Sequence, residues 1–136
     1  MVPLGDVKFT LDDIPLNIAD KMVYKGVMLQ DVPNLGFAMG YTNASWTLKA
    51  DLASEYISRL LKHMSDNNHK QCIPNNNGVP VSDLPFFDLK AGYISRAKDI
   101  FPKQGITAPW KMNQNYLADI KSLRYSSLDK SDIVYS

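Results

Sequence analysis

An amphipathic pattern from about Thr47 to Ser65 constrains this fold more than any other feature of the sequence. Acidic residues stand early in the pattern and basic residues late, as the helix dipole favours, and Glu55 and Arg59 are spaced as an i,i+4 ion pair. The pattern therefore predicts a long helix with one apolar face. Its apolar residues recur at helical spacing and form one stripe: Leu48, Leu52, Tyr56, Ile57, Leu60, Leu61 and Met64.

The residues before this helix are typical of short strands. Val7–Leu11 alternates between apolar and polar residues, and Asp12 and Asp13 supply a turn. The next residues, IPLNIAD, form a loop or a short second strand. Lys21–Leu29 is rich in β-forming residues, with a bulge or bend expected at Gly26, and a turn is expected at Val32-Pro33-Asn34.

One further apolar run precedes the helix, and weaker patterns follow it. The run Leu35–Tyr41 has strand length and the composition of a strand covered on both faces. Short helices are expected over Ser95–Ile100 and Asn113–Tyr125, and a short strand over Ile133–Tyr135. The fold class is therefore α+β, with strands over 1–42, the long helix over 43–66, and an irregular segment with two shorter helices over 67–136.

Composition excludes several classes of protein. The 136 residues carry a net charge of +1, which gives no basic field for nucleic acid. No apolar run approaches the roughly 20 residues of a membrane-spanning helix, so no membrane span is expected. The N-terminus has no signal-peptide pattern, and Cys72 is the only cysteine. These features favour a cytoplasmic location.

Most motifs of enzyme chemistry are absent from the sequence. It has no G-x-G-x-x-G fingerprint, no P-loop and no Cys/His cluster with metal spacing, so no metal site is expected. We expect His63 and His69 to be solvent-exposed and Cys72 to be a partly buried, inert thiol.

The remaining candidate site is the turn from Gly40 to Thr47, where the apolar run meets the long helix. One interpretation is structural, with Ser45 or Asn43 as the helix N-cap and Trp46 packed beside it. The other is a helix N-terminus directed at an electron-rich ligand, because free N–H groups and the positive end of the dipole attract negative charge.

Three blocks of the sequence carry a resemblance to one family. Val32–Met64, "VPNLGFAMGYTNASWTLKADLASEYISRLLKHM", closely resembles the C-terminal part of bacterial flavin-containing monooxygenases of the Baeyer–Villiger type, in the branch of the ethionamide-activating enzymes. Met22–Leu35 is similar to the segment that leads into this block. Ala108–Ile120, "APWKMNQNYLADI", resembles a second block near the C-terminus of the same branch. Family members are several times longer, so the chain resembles a C-terminal fragment of an α/β FAD-binding domain.

The resemblance implies a role for the turn at the start of the helix. In this family the helix begins beneath the flavin ring, so the predicted cofactor-binding residues are Gly40, Asn43, Ser45, Trp46 and Thr47. Gly40 would let the backbone approach the ring, while Asn43 and Thr47 would hydrogen-bond its polar edge. For Trp46, packing under the flavin is preferred to forming a wall of the substrate pocket.

The resemblance also implies the activity. Family members use FAD and NADPH, and they oxygenate ketones or soft heteroatoms through a C4a-peroxyflavin. Both nucleotide fingerprints lie upstream in the family, so we expect this chain to bind neither cofactor alone, to hold no catalytic residue and to be inactive by itself. The expected partner is the remainder of the FAD and NADPH domains, and a homodimer is expected for the chain alone. The alternative is a stand-alone interaction or regulatory domain derived from the family.

Two further sets of residues bear on this prediction. The family's catalytic arginine would lie upstream, so that role is not assigned to Arg59, Arg96 or Arg124. The second block contains Trp110, Asn113 and Asn115. We expect these three residues to belong to a structural lid or to an interface with the missing NADPH domain.

Overall fold

Two tight hairpins open the chain. The computed structural model describes residues 7–38, 45–75, 78–82, 102–111, 115–128 and 132–136. Strand β1 (Phe9–Leu11) pairs antiparallel with β2 (Ile14–Leu16). The turn between them places Asp12 and Asp13 at φ 51° and 66°, a left-handed region that aspartate tolerates better than most residues. The predicted turn is confirmed. A loop or a short strand was expected for IPLNIAD, and its first three residues form strand β2.

The β-rich segment after β2 is a second hairpin and not one strand. Strand β3 (Val23–Tyr24) pairs antiparallel with β4 (Met28–Leu29). The turn between them holds Lys25 at φ 52° and Gly26 at φ 72°, so the bend predicted at Gly26 is confirmed. Both strands are buried, and their apolar side chains begin the core.

The predicted strand Leu35–Tyr41 is wrong over Leu35–Ala38, which has no strand structure; positions 39–41 lie outside the described residues. Asn34, at φ 56°, turns the chain in the predicted Val32-Pro33-Asn34 turn, and its side chain accepts a hydrogen bond from the Cys72 backbone N–H at 3.0 Å. The Phe37 N–H then donates to the Val27 carbonyl. Phe37 is buried whereas Gly36 and Ala38 are exposed, and the segment is a coil because a strand requires a continuous ladder with a neighbour.

The long helix is confirmed almost residue for residue. Helix α1 (Trp46–Asp66) spans 21 residues, and Ser45 occupies its N-cap position. Part of the predicted apolar stripe lies in the core, whereas Leu48 and Leu61 are exposed. The buried residues of α1 are Lys49, Leu52, Ala53, Tyr56, Leu60 and Met64.

The second half of the chain adds a strand pair and a short helix to the fold. Strand β5 (Cys72–Pro74) pairs antiparallel with β6 (Ile133–Tyr135), which confirms the predicted C-terminal strand. The third predicted helix is confirmed in part, as helix α2 (Tyr116–Asp119) followed by a π-helical turn, Ile120–Arg124. The predicted helix Ser95–Ile100 lies outside the described residues.

Apart from the first hairpin, these elements contribute to one core, and the fold is α+β. Among the described residues, every strand pairs with a single partner, so the sheets are two-stranded. Helix α1 packs against α2 and the π-helical turn. The core cluster includes Met22, Tyr24, Met28, Leu52, Tyr56, Trp110, Leu123 and Ile133.

Candidate functional site

The N-terminal turn of α1 brings together the described members of the predicted site. Ser45, Trp46 and Thr47 are consecutive and exposed, and Trp46 has 54% of its surface open to solvent. Gly40 and Asn43 lie outside the described residues, so their part of the prediction stays a prediction.

The turn has the polar character that an electron-rich ligand requires. Ser45 has an extended backbone, φ −62° and ψ 129°, but its side chain makes no capping hydrogen bond. Its Oγ instead lies 2.9 Å from Thr47 Oγ1, and the first turn holds no acidic residue. The N–H groups of the first turn are therefore not capped by the Ser45 side chain, and no carboxylate in the turn opposes negative charge. These residues fit the polar edge of a flavin ring.

A buried ion pair lies one helical turn behind this site. Lys49 Nζ is 3.1 Å from Asp119 Oδ2, and the two side chains are 2% and 5% exposed. Burial lowers the pKa of Lys49, an effect that the neighbouring Asp119 carboxylate opposes. Sequence reasoning missed this pair. The available signal was that Lys49 lies three residues after Trp46 and falls on the same helical face as Leu52 and Ala53.

The polar side chains of mid-α1 bind the segment Tyr116–Leu128, named here the C-terminal block. Glu55 does not pair with Arg59 as predicted; its carboxylate accepts two hydrogen bonds from Arg124, at 2.7 and 2.9 Å. These bonds lower the pKa of the Glu55 carboxyl. Arg59 instead donates to the carbonyls of Leu123 and Ser126 at 2.6 and 2.7 Å. Arg59 and Arg124 therefore make structural contacts within the chain, and Arg96 lies outside the described residues.

Trp110 of the second block lies in the core, which corrects its own predicted placement in a lid or interface; for exposed Asn115 that placement stays a prediction. Trp110 is 1% exposed and packs on Tyr24 with ring centroids 5.1 Å apart. Its Nε1 has no hydrogen-bond partner among the described residues. Asn115 caps α2 by accepting hydrogen bonds from the backbone N–H groups of Leu117 and Ala118. Asn113 lies outside the described residues.

The histidines are less exposed than expected, and the cysteine is buried. His63 and His69 are both half-buried against Tyr135, each with its ring centroid 5.0 Å from the tyrosine ring. Cys72 is buried, and burial raises the pKa of its thiol, which disfavours the nucleophilic thiolate. In the described parts of the chain, no group of three or more His, Cys, Asp or Glu side chains could hold a metal ion.

An apolar groove of about 250 Å³ lies along the other half of α1. Ile57 is the first α1 residue in its lining, and it follows Trp46 by 11 positions, or about 16 Å along a helix. The groove is therefore separate from the Ser45–Thr47 turn. Its lining consists of Met28, Asn34, Leu35, Gly36, Ile57, Leu60, Leu61, Met64, Lys70 and Cys72.

Comparison with known proteins finds similar sequences. The chain is 43% identical over 132 residues to the FAD-containing monooxygenase EthA of Mycolicibacterium smegmatis, a match that covers 97% of this chain and 27% of that protein. EthA of Mycobacterium tuberculosis is 42% identical over the same shares. The probable FAD-binding monooxygenase AlmA of Acinetobacter baylyi is 46% identical over 93% of this chain and 26% of its own length.

The relatives that match are FAD-containing or FAD-binding monooxygenases. Over nearly all of its length it is a relative of EthA and AlmA, and it matches a C-terminal part of that family. The chain spans about a quarter of the length of these curated relatives. No family model matches it, and no solved structure does. None of the helices in the described residues is long and apolar enough to cross a membrane.

Proposed function

We propose that this chain is the C-terminal portion of an FAD- and NADPH-dependent monooxygenase that oxygenates ketones or soft heteroatoms, and that the Ser45–Thr47 turn faces the flavin. The observation that carries the proposal is the 43% identity to an FAD-containing monooxygenase over 97% of the chain. FAD, when bound, would supply the oxygen chemistry, and NADPH would supply the reducing electrons.

The contribution of this chain is to hold the polar edge of the ring. The N–H groups at the start of α1, which the Ser45 side chain does not cap, would donate hydrogen bonds and favour negative charge there. The Ser45 and Thr47 hydroxyls offer two more hydrogen-bonding groups at the same place. Trp46, exposed by more than half, offers a flat apolar surface to an aromatic ring. Gly40 and Asn43 complete the proposed site.

The first experiment is a titration of the chain alone with FAD, followed by flavin fluorescence and calorimetry. We expect no saturable binding and no NADPH oxidation, because the proposed site supplies one edge of a cofactor that is otherwise held by the family's upstream fingerprints. Saturable binding with NADPH turnover would overturn the claim that the chain is inactive alone.

A chimera tests the role itself. The matching 132 residues of the Mycolicibacterium smegmatis relative are replaced by those of this chain. We expect the purified chimera to hold FAD and oxidise NADPH. A folded chimera without FAD would favour the alternative, a stand-alone interaction domain.

A charge substitution at the turn separates cofactor binding from stability. In the chimera, Ser45→Asp adds a carboxylate where the flavin edge is proposed to lie, and we expect FAD affinity to fall at least about tenfold, a loss of about 1.4 kcal/mol. The matched control is Ser54→Asp, which adds the same charge on the exposed face of mid-α1 and leaves FAD affinity unchanged. Equal affinity in both variants would contradict the proposed site.

A further inference from the structure

A single charged residue interrupts the buried face of α1. Five of its six buried residues are apolar or aromatic, and the sixth, Lys49, lies at the N-terminal end of the stripe. Its ammonium group meets the Asp119 carboxylate at 3.1 Å inside the protein. An apolar pair would fill the same space without the cost of removing two charges from water, so the stability of the core does not require this pair.

The pair is one of the polar attachments that join the C-terminal block to α1. The second attachment is formed by Glu55 with Arg124, and by Arg59 with the Leu123 and Ser126 carbonyls. Residues 49 and 55 are about 9 Å apart along a helix. One attachment leaves a segment free to pivot, whereas two attachments at different heights fix both its register and its angle.

The first attachment acts close to the candidate site. Lys49 follows Trp46 by three positions, which places it about one turn into α1 and on the same face of the helix as Trp46. Asp119 ends helix α2, whose start is fixed by the Asn115 cap. The position of the first turn of α1 is therefore tied to a short, capped helix of the second family block.

We propose that Asp119 is a positioning residue: through Lys49 it sets the orientation of the Ser45–Thr47 turn. The consequence for FAD rests on the proposed function, whereas the mechanical claim concerns the chain by itself. Buried polar pairs of this kind specify one arrangement among similar ones, a role that an apolar replacement does not reproduce.

The test uses Trp46 as the reporter in the full chain. Time-resolved anisotropy with iodide quenching separates exposed Trp46 from Trp110, which is 1% exposed. Three variants are compared with the native chain: Asp119→Asn, the double variant Lys49→Met with Asp119→Leu, and the control Lys62→Met. The control breaks the exposed Lys62–Asp66 pair near the far end of α1.

In Asp119→Asn and in the double variant we expect the local motion of Trp46 to quicken at least about twofold on the nanosecond scale. The double variant recovers the native unfolding midpoint, because its apolar pair packs without a buried charge. The control leaves Trp46 unchanged. Should Asp119→Asn fail to fold, the double variant alone decides the question. Native Trp46 motion in the double variant would overturn the proposal, since the pair would then serve packing alone.

The same double variant in the chimera separates this inference from the proposed function. We expect its FAD affinity to fall at least about tenfold while its unfolding midpoint stays native. Another outcome is that Trp46 moves faster in the double variant while FAD affinity is unchanged both there and in Ser45→Asp. Asp119 would then remain a positioning residue, but the flavin would not lie at the turn.

Discussion

Two tyrosines hold their hydroxyl groups inside the core of this protein. Tyr24 and Tyr56 are each 1% exposed, and their side chains hydrogen-bond to one another. Burial raises the pKa of both hydroxyls above the ordinary value of 10.0. In the unfolded chain the same hydroxyls lose their protons near pH 10, so above that pH the unfolded chain binds fewer protons than the folded one. Stability therefore falls as pH rises beyond 10.

Tyr56→Phe should weaken this alkaline dependence. Each buried tyrosine contributes a slope of up to about 1.4 kcal/mol per pH unit above pH 10, and the substitution removes one of the two. At neutral pH it costs about 1 kcal/mol through the lost hydrogen bond. Urea denaturation from pH 7 to 11 measures both effects. The control is Tyr125→Phe at an exposed position, which should keep the native slope. An unchanged slope in Tyr56→Phe would contradict the assignment.

The Lys49–Asp119 pair predicts a stability effect with the opposite pH dependence. Asp119→Asn leaves a buried cation without its carboxylate and should cost about 3–5 kcal/mol at pH 7. Burial then lowers the pKa of Lys49 unopposed by that carboxylate, so the unfolded chain holds the proton to higher pH than the folded one. The cost should therefore shrink as pH rises towards 10, and a cost that is constant from pH 7 to 10 would argue against a buried charged lysine. Urea unfolding midpoints over this range measure it.

At the scale of elements, the sequence pattern correctly predicted those helices, turns and strands that depend on neighbouring residues. Helix α1 was predicted over Thr47–Ser65 and found over Trp46–Asp66, because its apolar period and charge order are properties of the helix itself. The Asp12-Asp13 turn and the Ile133–Tyr135 strand were predicted for similar reasons. Leu35–Ala38 was mistaken for strand because an apolar run does not show whether a neighbouring strand exists to complete a ladder.

The predictions that failed at the site depended on tertiary partners. Glu55 and Arg59 have ideal spacing for a helical pair, yet stronger partners lie across the core in the C-terminal block. Lys49 and Asp119 are 70 positions apart, so nothing local indicates that they meet. The exposed turn consists of consecutive residues and could be predicted in part from the sequence. The Lys49–Asp119 pair behind it joins distant residues and could not.

The π-helical turn Ile120–Arg124 gives an element-scale prediction. Arg59 donates to two carbonyls, on Leu123 and Ser126, at the end of this turn. Arg59→Lys supplies one compact ammonium group that cannot span both acceptors, so we expect a loss of about 1–2 kcal/mol. Amide hydrogen exchange should rise selectively over residues 120–128. Lys62→Arg, on the exposed face of α1, is the control and should change neither quantity. Exchange that rises evenly along α1 would argue for a general destabilisation.

At the scale of the whole molecule, the described surface exposes several large apolar side chains. Trp46 is 54% exposed, Leu48 40% and Leu117 76%. Trp46 belongs to the turn proposed to face the flavin, Leu48 follows that turn, and Leu117 belongs to α2, which packs on α1. Exposed apolar groups of this kind favour association when their natural cover is missing.

We therefore expect the chain alone to form homodimers or higher oligomers at micromolar concentrations, through these side chains and not through the Leu35–Ala38 segment, which offers no strand edge. Trp46→Ser combined with Leu117→Ser should shift the equilibrium towards monomer at least about tenfold, because each substitution removes apolar surface that association would bury. Multi-angle light scattering across a dilution series measures this shift.

The matched control is Val7→Ser with Ile14→Ser, two exposed apolar positions in the first hairpin. A native chain that stays monomeric at high concentration would show that this surface is stable in water and needs no cover. A control pair that shifts the equilibrium equally would locate the contact at the first hairpin instead. Association confined to the α1 and α2 side chains would mean that the surface which drives it is the one proposed to meet the flavin and the rest of the monooxygenase.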